Sequence, residues 1–157
     1  MRFANENIKA DLHMHTNFSD GKLTPKQLVN QALKVGLQII SITDHDNING
    51  LKEAIEYGER VGVKVIPGVE LSTTHGDREV HILGYFIDYE SEKLLKFLTT
   101  LRYARISRLE KMISKLNDLG SKITMEDIMV DLTEDISVGR PHIAKALVRE
   151  GFVKSYE

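Results

Sequence analysis

Polar and apolar positions alternate early in the chain and then recur at helical spacing. From Ile8 to Met14, Ala10, Leu12 and Met14 fall on one side, and Asp11, His13 and His15 on the other. That period of two predicts a strand. The polar segment NFSDGKLTP is a loop, and Thr24 followed by Pro25 marks a helix start. This helix is expected to run to about Val35, with Leu28, Val29, Ala32 and Leu33 inward and Gly36 as its stop. Leu37 to Thr43 is almost wholly apolar, as in a strand covered on both faces. The polar DHDN leads to a second helix, about Ile48 to Val61, stopped by Gly62. Val63 to Ile66 and Glu79 to Phe86 read as the third and fourth strands. Strands interleaved with helices predict a parallel α/β arrangement.

Beyond Asp88 the helical period takes over. Ser91 to about Asp118 reads as one long helix, Ile123 to Val130 as a short one capped by Thr124, and Pro141 to Glu150 as a third closed by Gly151. The chain therefore divides into a strand-bearing part, residues 1–89, and a helical part, residues 90–157.

Composition adds mainly exclusions. The 157 residues suit one modest domain, and 41% hydrophobic content is ordinary for a globular protein. A net charge of −2 gives no electrostatic case for nucleic acid or an anionic membrane. No stretch approaches the ~20 apolar residues of a membrane span, and the N-terminus lacks the apolar run of a signal peptide. With no cysteine, disulfides and thiolate metal ligands are excluded, which accords with a reducing compartment. The expected location is the cytoplasm.

The chemistry lies in polar residues placed at or near strand ends, where parallel α/β folds bind ligands. His13 and His15 end the first strand two residues apart, so both rings project from one face and one metal ion can take both. Asp44 and His45 follow the second strand, Glu70 follows the third, and His81 lies within the fourth on the face of Leu83 and Tyr85. Asp20 lies in the loop after the first strand. Imidazole and carboxylate without thiolate suit Zn, Mn or Fe in hydrolytic sites. A carboxylate such as Glu70 can bridge two ions, and two ions ~3.5–4 Å apart clamp a phosphate. Blander readings stand beside these. Asp44 can cap a helix or, the preferred reading, steady a histidine from behind. By spacing alone Asp20 is a turn residue, His81 a satisfied core histidine, and His75 in THGD a surface residue.

The blocks DLHMHT, SITDHD, GVE and HILGY, in that order over roughly residues 8 to 86, resemble the PHP (polymerase and histidinol phosphatase) superfamily. SDGKLTP, GVELST and GRPHIAKAL are similar to its TrpH-like phosphoesterase branch, described as nucleotide phosphatases and 5′-to-3′ exoribonucleases on short RNA. The resemblance implies the first part of a distorted (β/α)7 barrel followed by a helical insertion or lid. It implies two or three divalent ions. His13, His15 and Glu70 would hold the first; Glu70 would bridge to a second, also bound by His81; Asp20 and His45 would hold a third. Asp11 and Asp44 would support the ligands from behind. A hydroxide activated by metal would attack phosphorus in a phosphorylated small molecule or short oligonucleotide. Stable duplex DNA binding and membrane association are not expected. The family's remaining ligands, a His and then an Asp and a His, fall beyond position 157, so the chain is expected to be the first part of a longer protein. Two other readings stay open: a histidinol-phosphate phosphatase, and, for this part alone, a non-catalytic metal- or phosphate-binding module.

The long helix carries seven basic residues and one acid between positions 93 and 115. Arg105 falls in the middle of its apolar stripe of Leu94, Leu98, Leu101, Leu109, Met112 and Leu116, with Arg102 beside it. An arginine there needs an anion, either a substrate phosphate or an internal acid. Arg140 and His142, at the start of the last helix, are candidate substrate contacts.

Overall fold

The computed structural model describes residues 8–130, 132 and 135–156. Its elements, in chain order, are β1 (Ala10–Met14), α1 (Pro25–Lys34), β2 (Ile39–Ile42), α2 (Leu51–Val61), β3 (Lys64–His75), β4 (Arg78–Tyr85), α3 (Glu92–Asp118), α4 (Met125–Met129) and α5 (Arg140–Arg149). Helix starts follow the local capping chemistry. The Thr24 hydroxyl accepts from the Gln27 N–H (3.3 Å) and the Gln27 side chain accepts from the Thr24 N–H (2.9 Å). Thr124 and Asp127 make the same reciprocal cap on α4.

The four strands lie in the order β1-β2-β3-β4, with β1, β2 and the start of β3 parallel. The fourth strand departs from the parallel expectation. β3 does not stop at Ile66: Lys64–Pro67 pairs with β2, and Gly68–His75 pairs antiparallel with β4. Only Gly76 and Asp77 connect β3 to β4, and Gly76 has φ +59°, the hairpin geometry that glycine permits. A loop of two residues leaves no room for a crossover helix, so antiparallel pairing is forced.

α1 and α2 cover one face of this sheet. Leu28, Val29 and Ala32 of α1, Ile40 and Ile42 of β2, Leu51 and Ala54 of α2, and Val63 and Val69 form a buried core that Leu98 of α3 joins. Leu33 was expected inward but is half-exposed. The buried stripe Pro25, Leu28, Val29, Ala32 keeps the i, i+3, i+4, i+7 spacing, and Leu33 lies ~90° from its centre, past the edge that Val29 marks. A second core forms from Leu109 and Ile113 of α3 with Ile123, Ile128, Val138, Ile143 and Ala146. α3, 27 residues and ~40 Å long, therefore contributes to both cores, with buried Arg105 between them.

Candidate metal centre

β1 and β2 end side by side, and the chain beyond them stays in register. The Thr43 N–H donates to the Met14 carbonyl (2.8 Å), the Glu70 N–H to the Asp44 carbonyl (3.2 Å) and the Asp46 N–H to the Glu70 carbonyl (2.9 Å). His45 thus bridges in parallel to Glu70, which lies inside β3 rather than after it. In the β3–β4 hairpin Glu70 faces Leu83 and Ser72 faces His81, so Glu70 and His81 are diagonal neighbours on one face.

Glu70 is the hub. Its Oε2 lies 2.9 Å from His13 Nε2, 3.2 Å from His15 Nε2 and 3.5 Å from His45 Nδ1, and its Oε1 lies 2.8 Å from His81 Nδ1. Asp20 stands on the other side, 3.6 Å from His15 Nδ1 and 3.6 Å from His45 Nε2. The ring centroids follow one another at 5.1, 4.8 and 4.9 Å from His13 through His15 and His45 to His81. Three overlapping groups result among the described residues: His13–His15–Glu70, His15–Asp20–His45 and His45–Glu70–His81, each with its ligand atoms within 4.8 Å of one another.

The donors suit divalent cations. Ligand atoms ~2.1 Å from a tetrahedral ion stand roughly 3.4 Å apart, and most separations here are close to that. His45 Nδ1 is buried without a hydrogen-bond partner, an orphan that a cation would satisfy. All six expected ligands are brought together. Glu70 belongs to two groups, as a bridging carboxylate must, while His15 and His45 are also shared, a finer overlap than the expected partition.

The two supporting acids bond the backbone and hydroxyls beside the histidines rather than an imidazole directly. Asp44 is buried, and its oxygens accept from the Thr16 N–H (2.7 Å), the Thr16 hydroxyl (2.5 Å) and the Ser19 hydroxyl (2.5 Å). It ties down the loop that carries Asp20. Gly21 completes that loop: a Cβ there would stand 2.3 Å from the His15 carbonyl oxygen. Asp11 is exposed and accepts from the His13 backbone N–H (3.1 Å). His75, exposed at the hairpin tip, is outside the three groups.

The electrostatics favour ligands ready to bind. Burial pushes the His15 ring below its ordinary value against the pull of Asp20, which favours the neutral form that binds metal. A hydrogen bond with His45, opposed by burial, holds the Asp20 carboxyl well below the usual range. For Glu70, burial raises the carboxyl, but hydrogen bonds from His13 and His81 and the nearby His45 and His15 bring it below its usual value. Burial raises the Asp44 carboxyl, against its Ser19 and Thr16 hydrogen bonds.

A cavity of about 340 Å³ opens beside the cluster, lined by Asp20, His45 and His81 and, from the helical part, by Arg105, Arg108 and Arg140. Arg140, a candidate substrate contact, lines this cavity. Arg105 meets an internal acid: its Nε donates to Asp46, and its other nitrogens to Ser72 Oγ and the Val138 carbonyl. Arg102 lines a separate cavity with Tyr103 and Ile106. His142 is buried as the cap of α5, its Nδ1 accepting from the Gly139 N–H (3.0 Å), and it faces a third cavity. Burial, then Lys145, lowers its ring against that Gly139 bond. Arg102 is not brought to the cluster, whereas His142 sits against the Ser19–Asp20 loop beside it.

Sequence reasoning missed Glu79 and Arg108. Glu79 Oε1 lies 3.2 Å from His81 Nε2 and 2.6 Å from Arg108, and its Oε2 lies 2.9 Å from Arg140. Burial opposes its ionisation, but the His81 and Arg108 hydrogen bonds and the charges of Arg108 and Arg140 bring it down to about 2. The signal was available: Glu79 sits two residues from His81 on one strand face, and Arg108 one helical turn from Arg105.

A family model described as the PHP domain matches residues 11–152. A 3′,5′-nucleoside bisphosphate phosphatase of Chromobacterium violaceum is 34% identical over 92% of this chain and 50% of its own length. A 5′-3′ exoribonuclease of Haemophilus influenzae is 34% identical over 94% of this chain and 53% of its own length. A crystal structure from Bifidobacterium adolescentis, described as a candidate metal-dependent phosphoesterase, superposes with a TM-score of 0.85 at 37% identity, covering 96% of this chain and 53% of that one. The chain spans about half the length of these relatives.

Proposed function

This chain belongs to the PHP domain family, and on that premise we propose that it carries the metal-holding part of a phosphoesterase acting on nucleotides or short oligonucleotides. The observation that supports this most is Glu70, one buried carboxylate facing four imidazoles on strands and loops that the sheet fixes. His13, His15, Asp20, His45, Glu70 and His81 would hold two or three ions, and Mn, Fe and Zn all suit the donor set. When bound, such ions supply Lewis acidity toward phosphoryl oxygens and lower the pKa of water.

The remaining residues shape what enters. The cavity beside the ligands is lined by cationic Arg108 and Arg140, which suit a polyanionic ester. We assign residues 90–157 the role of a cover over residues 1–89, consistent with the way α3 and α5 bring those arginines to the cavity. Asp44 and Gly21 hold the Asp20 loop in place. Among the described residues no helix is long and apolar enough to cross a membrane. The relatives whose names specify nucleotides or RNA support this substrate class over histidinol phosphate.

The test is a side-by-side assay with Mn²⁺. Phosphate release from a 3′,5′-bisphosphorylated nucleotide, or mononucleotide release from a short RNA, should exceed turnover of histidinol phosphate and vanish in His13→Ala and His45→Ala. Metal bound at stoichiometric level without turnover of any ester would leave a binding module as the better reading.

A further inference from the structure

We propose that Glu79 is a positioning residue that fixes the His81 ring for metal binding and ties that ring to the helical cover. This rests on the metal reading of the cluster above and adds a residue that reading does not need. The two nitrogens of His81 face opposite partners. Nδ1 points into the cluster, 2.8 Å from Glu70 Oε1, and Nε2 points out of it, 3.2 Å from Glu79 Oε1. A histidine that ligates through one nitrogen needs an acceptor for the proton on the other, and a carboxylate there fixes both tautomer and ring direction. Glu79 supplies that acceptor.

The strand makes the arrangement possible. Glu79 and His81 are two apart in β4, so both side chains leave the same face. Ser72 stands opposite His81 and Thr74 opposite Glu79, with Glu70 diagonal to His81. One ring therefore sits between two carboxylates supplied by the two strands of one hairpin.

Glu79 also spends its remaining acceptor capacity on the cover. Arg108 of α3 donates to Oε1 and Arg140 of α5 to Oε2. A single carboxylate thus links a metal ligand to the two helices that line the cavity.

The experiment is zinc affinity by chelator competition, together with the nitrogen NMR signature of His81 in the zinc-loaded protein. In the wild type, Nδ1 should carry zinc and Nε2 the proton. Glu79→Ala should weaken zinc binding by about 10- to 100-fold. Glu79→Gln keeps an oxygen that accepts from Nε2–H, so it should recover part of that loss. Arg108→Ala with Arg140→Ala should stay within about 5-fold of wild type, since the Glu79 carboxylate that accepts from His81 remains, which separates the hold on His81 from the hold on the cover. Zinc on Nε2 of His81, or Glu79→Ala binding zinc as tightly as wild type, overturns the proposal. The ring signature and Glu79→Gln decide it even if Glu79→Ala does not fold. Failure of the wild type to bind zinc would overturn the metal reading itself.

Discussion

Glu70 and Asp44 are both buried acids near the same histidines, yet their surroundings give them different work. Glu70 faces four ring nitrogens, whereas the Asp44 oxygens bond Thr16 and Ser19. Glu70→Gln removes the charge that two overlapping groups share. It should cost at least the ~100-fold in metal affinity that losing an outer partner can cost, measured by chelator competition. Asp44→Ala leaves a buried N–H and two hydroxyls without their acceptor. It should destabilise the metal-free protein by about 2–4 kcal/mol, read from urea unfolding; an unchanged midpoint would contradict this account of the loop. At this scale strand alternation placed His13 and His15 together, whereas Asp20 and His81 stood out only through the family resemblance. Glu79 was legible only in part: its place two residues from His81 is local, but its pairing with Arg108 and Arg140 joins segments remote in sequence.

Elements carry these residues, and α3 has the most demanding position. It contributes Leu98 to one core and Leu109 to the other, with Arg105 between, paired to fully buried Asp46. Asp46 directly follows His45 and sits at φ +48°, so the ion pair fixes a bend beside a candidate ligand. Its carboxylate also accepts from the Ser72 N–H (2.8 Å), binding β3 to the same point. Arg105→Ala strands a buried carboxylate and should cost about 3–5 kcal/mol. Paired with Asp46→Ala, the combined loss should be smaller than the sum of the two single losses; strict additivity in denaturant unfolding would show that the pair is not coupled. The apolar stripe of α3 was visible in the sequence, as was the need of Arg105 for an anion. Which anion it meets depends on how the second strand's exit loop packs, and no periodicity encodes that. The reversed direction of β4 had a local cause, the short Gly76–Asp77 connection, while Pro67 and Gly68 gave a false end to β3.

Across the whole molecule, two cores meet along one helix, and the cavity lies where the helical part faces the ligand cluster. β1 is largely exposed, Leu12 included, and Leu33 and Val35 of the α1 end are exposed too. Binding to the folded state alone stabilises by mass action, about 2.7 kcal/mol at a hundredfold excess over Kd. Manganese or zinc should therefore raise the melting temperature of the wild type, and a strong chelator should reverse the gain. In His45→Ala the shift should shrink, since His45 belongs to two of the three groups. The parallel run of β1 to β3 and the helical tail follow from patterns in the sequence. The meeting of six ligands from four separate segments depends on strand register, which alternation alone does not fix.

Anomalous diffraction from crystals grown with Mn²⁺ or Zn²⁺ tests the central claim most directly. Peaks are expected about 2.0–2.2 Å from both oxygens of Glu70, with His13 and His15 on one ion and His81 on its neighbour. A map with no peak within reach of Glu70, while ions sit elsewhere on the surface, would contradict the account.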